Sequence, residues 1–253
     1  MSRKVLITGS SRGVGYSIAQ KFIENNWNIC VTGKSLENLE IARQNLNSTT
    51  SNNLFEKIDF RVKSEVNILK EKISKHWGEI NSLVVNIGSG SGTKSLNSSF
   101  SENIDIFKIN FVTAYNSISI LKDLIIKSRD NSIILVGSIA ANSNVGAPIN
   151  YATSKKALEN LSNFFSITLS EFGVKVNCVH LGHVYVKDGV WEKKDKEKPG
   201  DFAKFVKEKT LIKRILDPNE VASFIYALND SQYKNAITGS SFIIDGGTSK
   251  LKI

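Results

Sequence analysis

The sequence predicts an α/β fold in which a doubly wound, parallel sheet of seven strands forms a single domain. Two observations support this prediction. Short apolar runs alternate with longer helical patterns along the chain, and a strict alternation of strand and helix implies βαβ units. Several of the short runs consist almost entirely of Val, Ile and Leu, which is typical of parallel strands buried on both faces.

The predicted elements follow one another without a repeat, a low-complexity tract or a linker, so residues 1–253 are expected to form one domain. The polar segment 187–210 breaks the alternation and is expected to lie over one end of the sheet as an insertion. The strand candidates are 4–8, 28–32, 54–59, 82–86, 132–137, 175–180 and 241–245, and the helical patterns are 14–25, 36–46, 64–76, 102–128, 151–172 and 218–229.

Composition places the chain among globular proteins, because 41% of its residues are hydrophobic and 23% are charged. No run of about 18 apolar residues is present, so no membrane-spanning helix is expected. The first residues enter a strand pattern at once, which leaves no room for a signal peptide. Cys30 and Cys178 each fall in a predicted buried strand, which argues against a disulfide. We expect a reduced, cytoplasmic protein with no membrane partner.

The net charge of +9 suggests a nucleic-acid partner, but the distribution of charge argues against one. The lysines are scattered, and the densest run, 186–198, mixes both signs. No alternation of aromatic and basic residues resembles a nucleic-acid platform. We therefore expect no nucleic-acid partner and a surface that favours anionic small molecules. No cluster of His, Cys and carboxylates at ligand spacing indicates a metal site.

A strand, a glycine-containing turn and a helix follow one another in "VLITGSSRGVGYSIAQKF" (5–22). Gly9, Gly13 and Gly15 fit a variant of the turn that binds dinucleotides in Rossmann folds. Glycines let the backbone turn tightly and approach a pyrophosphate, while the helix N-terminus supplies N–H donors and the positive end of its dipole. The position of the glycines between a strand and a helix favours a dinucleotide site.

The end of the second strand distinguishes the two nicotinamide dinucleotides. NAD sites usually place an acidic residue there, which binds the ribose 2′-hydroxyl. This strand ends in "VTGKS", with Gly33 and Lys34 at that point, and Arg12 of the glycine turn can approach the same ribose. A cation facing a 2′-phosphate gains roughly 4 kcal/mol at an effective dielectric constant of about 20. This pattern favours NADP(H); the alternative is that Lys34 is a solvated loop lysine.

The segment "YATSK" places Tyr151 and Lys155 four residues apart, on one face of a predicted helix. Alone, this spacing is equally typical of a surface pair. Other motifs surround it in a fixed order: "VNIG" at 85–88, "KINFV" at 108–112, "VGSIA" at 136–140 and "ITGSSFIIDGG" at 237–247. Together with the glycine turn, these motifs resemble those of the short-chain dehydrogenase/reductase superfamily over nearly the whole chain. The general similarity points to 3-oxoacyl-[acyl-carrier-protein] reductases within that superfamily.

The resemblance implies four catalytic residues, Asn110, Ser138, Tyr151 and Lys155. The Tyr151 hydroxyl would exchange a proton with the substrate oxygen, and Ser138 would donate a hydrogen bond to that oxygen. A free tyrosine has a pKa near 10, and lowering it by ~3 units requires about 4 kcal/mol. Lys155 would supply part of this, together with the oxidised nicotinamide, and would hold the ribose hydroxyls. Asn110 would position a water in a proton relay to Lys155.

The resemblance also implies which residues contact the cofactor, NADP(H). Asp59 and Phe60 would flank the adenine, with the Asp59 carboxylate accepting from its amino group; the alternative is an ordinary strand end. The full set is Gly9, Ser11, Arg12, Gly13, Val14, Gly15, Lys34, Asp59, Phe60, Asn86, Gly88, Tyr151, Lys155 and Val184.

Two segments depart from the family pattern. In "LGHVYV" (181–186), Leu181 replaces the usual Pro and Val186 replaces a Thr whose hydroxyl contacts the cofactor, so only backbone contacts from Val184 would remain. The Gly/Ser-rich loop 88–93 would face a hydroxylated substrate or would be a plain surface loop. His183 would bind substrate, act in proton transfer or make an ordinary polar contact.

Family members close a lid over the nicotinamide at the position of 187–210. Its lysines would form a solvated charged helix or would recognise an anionic group, such as a phosphate, a carboxylate or the surface of an acyl carrier protein. The lysines concerned are Lys193, Lys194, Lys196 and Lys198.

These features predict an NADP(H)-dependent enzyme that interconverts a ketone and a secondary alcohol. Its substrate would be a small molecule, most like a 3-oxoacyl thioester. A sugar or nucleotide sugar of a surface-glycan pathway is the alternative. A regulator that binds NADP(H) without turnover is a hypothesis of another class, although a pure binder need not keep an acid/base tyrosine. The long helices 102–128 and 151–172 are expected to pack across a twofold axis, giving a homo-oligomer (a dimer or tetramer).

Overall fold

A computed structural model describes residues 2–46, 52–92, 97–229 and 231–251. One parallel sheet of seven strands has the order β3-β2-β1-β4-β5-β6-β7. The strands are β1 (Lys4–Ile7), β2 (Asn28–Gly33), β3 (Leu54–Lys57), β4 (Ser82–Val85), β5 (Ser132–Ser138), β6 (Lys175–Leu181) and β7 (Ser241–Ile244). The predicted fold class is therefore confirmed, and each predicted strand is found with ends that differ by two residues or fewer.

Helices cover both faces of the sheet. They are α1 (Gly13–Glu24), α2 (Leu36–Leu46), α3 (Lys63–His76), α4 (Phe100–Phe107), α5 (Thr113–Ile126), α6 (Ile149–Thr168), α7 (Val190–Glu197), α8 (Pro199–Lys209), α9 (Pro218–Ala227) and α10 (Ser231–Lys234). Among the described residues, none of these helices combines the length and apolarity needed to cross a membrane.

The core consists of two apolar clusters, one on each face of the sheet. Alternate residues of β1 enter different clusters: Leu6 packs with α3, α5 and α6, whereas Val5 and Ile7 pack with α1, α2 and α9. This follows from the twofold repeat of a strand, which turns successive side chains to opposite faces. Burial on both faces explains why the strands are nearly continuous apolar runs in the sequence.

The strand order places the carboxyl ends of the inner strands β1, β4 and β5 next to one another. We refer to the side formed by these carboxyl ends as the edge of the sheet. The chain moves outward from β1 to β2 and β3, then returns to β4 on the other side of β1 and continues in the opposite direction. Ligands of open parallel sheets bind outside the carboxyl ends of the strands at such a reversal. The turn after β1 and the segments that follow β4 and β5 all lie at this edge.

The predicted helix 102–128 is interrupted. A π-helical segment, Lys108–Val112, joins α4 to α5, and Asn110 lies at its centre. The Asn110 side chain donates to the carbonyl of Ile106, one turn earlier, and to the carbonyl of Ser89 in the loop after β4. A π-helical turn adds a residue to one turn of a helix and often marks a functional site. Periodicity alone does not reveal it, because the apolar pattern continues through the segment.

The polar segment 187–210 contains two helices, α7 and α8. Aromatic contacts attach it to the end of β6. His183 lies 4.3 Å from Trp191 and 5.1 Å from Phe205 between ring centroids, and the Tyr185 hydroxyl donates to Asp195 at 2.9 Å. The segment is therefore fixed on the same edge of the sheet as the glycine turn.

Candidate active site and cofactor groove

The glycine turn has glycine at the three positions where its backbone conformation or close packing requires one. Gly9 and Gly13 have φ values of +63° and +62°, in the left-handed region that favours glycine. A Cβ atom on Gly15 would lie 2.4 Å from the Gly9 carbonyl oxygen and 2.7 Å from Asn86 Nδ2. Only glycine at position 15 therefore allows helix α1 to begin this close to the turn.

Asn86 connects the glycine turn to the end of β4. Its side-chain amide donates to the carbonyls of Thr8 at 3.2 Å and Gly9 at 3.0 Å, and its backbone N–H donates to the Thr8 hydroxyl at 2.9 Å. The predicted Asn86 is thus placed at the site, where it holds the backbone that would face a cofactor.

A groove of about 780 Å³ runs along this edge of the sheet from the end of β2 to the start of α7. Nine of the predicted cofactor residues line it: Gly9, Ser11, Arg12, Gly13, Lys34, Asp59, Phe60, Asn86 and Gly88. Phe60 is only 1% exposed and also belongs to the core, so its ring is mainly a packing residue.

Five predicted cofactor residues do not line the groove: Tyr151 and Lys155, which are described below, and Val14, Gly15 and Val184. Val14 and Val184 pack against the apolar cluster shared by α1, α2 and α9, because their positions turn these side chains toward the core. Gly15 lies beneath the turn, against the Gly9 carbonyl. Val186, two residues beyond Val184, lies at the groove instead.

The groove is strongly cationic. Five cationic side chains line it, against two carboxylates: Arg12, Lys34, Arg61, Lys187 and Lys193 against Asp59 and Asp188. Sequence reasoning missed Arg61, which follows Asp59 by only two residues, and did not assign Lys187 or Lys193 to the cofactor groove. The excess of three positive charges favours an anionic ligand such as a dinucleotide phosphate.

Asp59 does not present a free carboxylate to the groove. Arg61 donates to both carboxylate oxygens, at 2.5 to 3.1 Å, and Lys34 Nζ lies 3.7 Å from Oδ2. Hydrogen bonds from Arg61 lower the pKa of Asp59 to about 2, although burial opposes this shift. An adenine amino group would therefore have to share these oxygens with Arg61, and the role of Asp59 at the adenine stays a prediction.

Ser138, Tyr151 and Lys155 are brought together from β5 and α6. The Tyr151 hydroxyl is hydrogen-bonded to the Ser138 side chain. Lys155 is 4% exposed, and its Nζ donates to the Val136 carbonyl at 3.0 Å, which leaves two N–H donors for other partners. Tyr151 and Lys155 occupy successive turns of α6 and face the end of β5.

Burial controls the protonation of both side chains. It raises the pKa of Tyr151, and the hydrogen bond with Ser138 lowers that pKa by less. Burial also lowers the pKa of Lys155 to about 8. The protein groups alone therefore do not lower the pKa of Tyr151, which was expected from Lys155 and the oxidised nicotinamide together. The reason is that desolvation disfavours both the phenolate and the ammonium group.

Asn110 and Gly88 complete the site. The Asn110 side chain makes three hydrogen bonds to the protein, two of them to the backbone of Ser89, which leaves one lone pair on Oδ1. A Cβ atom on Gly88 would lie 2.8 Å from Lys155 Nζ and 2.9 Å from Asn110 Oδ1. The absence of a side chain at Gly88 thus keeps both polar groups accessible from the groove.

The donor set and the shape of the groove fit a nicotinamide dinucleotide. The turn at Gly9 and Gly13 carries no side chain that would obstruct a pyrophosphate, and α1 begins directly behind it. The cationic side chains lie along the same groove, and Lys155 lies behind Gly88 at its inner wall. Among the described residues, no group of three or more His, Cys, Asp or Glu side chains is arranged to hold a metal ion.

The two departures from the family pattern have local explanations. Leu181 extends β6 and pairs with Ser138 and Ile244, which the usual proline could not do on both sides. Val186 packs against the groove wall near Gly13.

His183 lies in the aromatic contact with Trp191 and Phe205 described above, and its burial lowers its pKa to about 4. This placement favours a packing role for His183.

In the loop 88–93, residues 88–91 line the groove, and residue 93 lies outside the described residues. Ser89 and Ser91 are hydrogen-bonded to each other through their hydroxyls at 2.5 Å. A Cβ atom on Gly90 would lie 4.0 Å from Tyr151 Cζ. This part of the loop therefore borders Tyr151.

The buried ammonium of Lys155 predicts a pH-dependent stability. Its pKa falls from 10.5 to about 8 on folding, so the unfolded state binds more protons between these values and stability rises with pH. The free energy of unfolding of the wild type, minus that of Lys155→Met, is expected to increase by about 3 kcal/mol from pH 7 to pH 10. Urea unfolding at each pH measures it.

The adjacent exposed lysine supplies the control, since Lys156→Met removes a positive charge from the same helix. A wild-type minus Lys155→Met difference that stays constant over this pH range would contradict a buried, destabilised ammonium.

Comparison with known proteins identifies the family to which the chain belongs. The short chain dehydrogenase family matches residues 3–198 of the chain. A 3-oxoacyl-(acyl-carrier-protein) reductase FabG of Chlamydia muridarum is 26% identical over 254 residues, covering 98% of this chain and 97% of the relative. A 7alpha-hydroxysteroid dehydrogenase of Paraclostridium sordellii is 23% identical, covering 97% of this chain and 91% of the relative.

The fold is also similar to that of a solved structure. L-sorbose reductase from Gluconobacter frateurii, complexed with NADPH and L-sorbose, aligns with a TM-score of 0.91 and 24% identity, covering 99% of this chain and 98% of that one. With the family match over most of its length, the chain belongs to the short-chain dehydrogenase family of oxidoreductases, which act on alcohol and carbonyl groups.

Proposed function

We propose that this protein is an NADP(H)-dependent reductase or dehydrogenase that interconverts a ketone and a secondary alcohol. The observation that carries the proposal is the continuity of a cationic groove with the Ser138–Tyr151–Lys155 cluster. The groove has three more cationic groups than carboxylates, which suits a dinucleotide with an additional phosphate. Among the proteins compared, the sorbose reductase is complexed with NADPH.

In this proposal, the nicotinamide supplies or accepts the hydride. The residues of the chain bind the substrate oxygen and transfer its proton. Ser138 donates a hydrogen bond to that oxygen, and Tyr151 transfers the proton to or from it. Lys155 uses its two remaining N–H donors to hold the ribose hydroxyls and to stabilise the phenolate. Asn110 uses its remaining lone pair to hold a water that continues the proton path from Lys155.

The pKa values of the site support a role for the bound cofactor in tuning Tyr151. Burial raises the tyrosine pKa in the protein by itself. The positive charge of a bound, oxidised nicotinamide would favour the phenolate. Because Lys155 has a pKa of about 8, it remains mostly protonated at neutral pH and adds to this effect.

The substrate class follows from different observations. The FabG relative supports a 3-oxoacyl thioester, and the lysines of the 187–210 segment would then face an acidic carrier protein. A sugar or nucleotide sugar is favoured instead by the hydroxyls of Ser89 and Ser91, which line the groove beside Tyr151. In either case, the 187–210 segment acts as the lid, because its first residues already line the groove.

A regulator that binds NADP(H) without turnover is the alternative of another class. It is disfavoured because the chain keeps the complete set Asn110, Ser138, Tyr151 and Lys155, with Tyr151 hydrogen-bonded to Ser138 and Lys155 donating to the nearby carbonyl of Val136. Binding alone does not require an acid/base tyrosine. The two buried free cysteines, Cys30 and Cys178, support our proposal of a reducing, cytoplasmic location.

The test is oxidation of NADPH against a panel containing acetoacetyl thioester, 3-oxoacyl carrier protein and several keto-sugars and nucleotide keto-sugars. We expect turnover of one class, and Tyr151→Phe is expected to reduce kcat by about a thousandfold or more because the proton donor is lost. NADPH affinity of the variant should stay within about twofold. Tight NADPH binding without turnover of any compound would support the regulator.

Replacing Lys34 tests the preference for NADP(H). Lys34→Asp places a carboxylate where a 2′-phosphate would lie, so we expect the NADPH Kd to rise by about tenfold or more. The NADH Kd is expected to fall, because the new carboxylate can bind the 2′-hydroxyl. Isothermal titration calorimetry measures both. Lys57→Asp, at an exposed residue paired with Gly33 in the sheet, is the control.

We also propose that the protein is a homo-oligomer. Helices α5 and α6 expose large apolar side chains: Tyr115, Phe164 and Ile167 are 49%, 63% and 73% exposed. Light scattering is expected to give the mass of a dimer or tetramer, and Ile167→Glu is expected to lower it. Leu36→Glu, at a residue 66% exposed on α2, is the control. A monomeric wild type would contradict the proposal.

A further inference from the structure

His180 is buried directly beneath the end of β5. It lies on β6 opposite Gly137, and its side chain is 0% exposed. Its ring Nδ1 lies 3.0 Å from the carbonyl oxygen of Ser138. A Cβ atom on Gly137 would lie 2.7 Å from this nitrogen, so glycine at 137 is what allows the ring to approach the strand. The imidazole therefore touches the backbone of the residue proposed to hold the substrate oxygen.

Glu159 faces the other nitrogen of the same ring. Its Oε1 lies 3.2 Å from His180 Nε2. Nε2 makes no hydrogen bond of good geometry among the described residues, so this contact is a close approach of the two groups rather than an aligned hydrogen bond. Both ring nitrogens thus face oxygen acceptors. A ring protonated on both nitrogens is the form that satisfies this environment, because a bare nitrogen would face a lone pair.

The environment of the Glu159 carboxylate favours its ionised form. Burial alone would raise the pKa of Glu159, but a hydrogen bond from Lys156 and the charge of His180 outweigh burial and lower the pKa to about 2. Lys156 Nζ lies 2.7 Å from Oε2, and Ser241 of β7 is also hydrogen-bonded to this carboxylate. Glu159 therefore stays ionised and links α6 to β6 and β7.

The position of Glu159 on α6 connects it to the proposed catalytic residues. Tyr151, Lys155 and Glu159 occupy successive turns, at i, i+4 and i+8, and form one stripe. Tyr151 contacts the Ser138 hydroxyl, Lys155 donates to the carbonyl of Val136, and Glu159 pairs with the histidine at the Ser138 carbonyl. Tyr151 and Lys155 thus each contact an atom of this strand end directly, and Glu159 reaches it through His180.

We propose that His180 and Glu159 form a buried ion pair that positions Ser138 for reaction. The pair acts through the Ser138 carbonyl, so both members are positioning residues. This inference rests on the proposed function for the catalytic consequence, whereas the ion pair itself does not. Other polar groups near the pair are Lys155 and Cys178, at the inner side of α6 and β6, and Asn142, which donates to Glu159 at 3.4 Å.

The experiment compares the substrate kinetics of four variants. His180→Leu and Glu159→Gln are expected to lower kcat by about tenfold or more, because small displacements of a positioned group have large effects on rate. His180→Asn keeps a donor near Nδ1 and is expected to recover part of this loss. Lys156→Gln, which removes the exposed partner of Glu159, is the control and is expected to retain its rate. The NADPH Kd should change by no more than about twofold in all four.

Two outcomes would overturn the positioning role. In one, His180→Leu and Glu159→Gln keep the wild-type kcat. In the other, the variants lose kcat only in proportion to a loss of folded protein in thermal unfolding, and His180→Asn recovers none of it.

Nitrogen-15 NMR of the histidine rings separates this inference from the proposed function. The chain has three histidines, and His180→Asn assigns the buried one. Wild-type protein at neutral pH is expected to show both His180 nitrogens protonated, and Glu159→Gln is expected to remove one proton. A neutral ring in the wild type overturns the ion pair. A protein that turns over no substrate but shows the protonated ring contradicts the proposed function alone.

Discussion

The hydrogen bond from the buried Lys155 ammonium to the Val136 carbonyl determines how the rest of the active site is built. At 3.0 Å and with only 4% of the residue exposed, this contact fixes α6 against the end of β5. A buried ammonium is unfavourable unless it is hydrogen-bonded, and here the backbone provides one acceptor. The remaining donors of the ammonium must therefore face polar groups, and Gly88 leaves the space toward Asn110 in which such groups can approach.

The π-helical segment fixes Asn110, a second polar group beside Gly88. A regular helix through residues 108–112 would place Asn110 differently relative to the loop after β4. In the observed segment, Asn110 exchanges two hydrogen bonds with the backbone of Ser89 while it also satisfies the carbonyl of Ile106. The irregular turn thus holds Ser89 at the point where the loop after β4 borders Tyr151.

How much of the fold and of the candidate site could be predicted depends on whether the residues concerned are neighbours in the sequence. The strands, the glycine turn and the residues Ser138, Tyr151 and Lys155 could be predicted, because continuous apolar runs and ordered short motifs record them directly. The contact of Asp59 with Lys34 could not, because Lys34 follows another strand and meets Asp59 only after the sheet forms, whereas Arg61 is a local partner that no motif marks. His180 gave no sequence signal, because its contacts are also distant along the chain. One ring nitrogen contacts Ser138, 42 residues away, and the other contacts Glu159 on a different element.

The aromatic contact between His183, Trp191 and Phe205 has an optical consequence. Of the three tryptophans, Trp27 and Trp77 are buried in the two core clusters, whereas Trp191 stacks on Phe205 at 4.8 Å in the segment whose first residues line the groove. Lys194 lies 4.2 Å above the same indole ring. Indole emission depends on such neighbours, so the protein contains its own fluorescent reporter of this segment. Any rearrangement of α7 or α8 changes the environment of one tryptophan while leaving the other two as an internal reference.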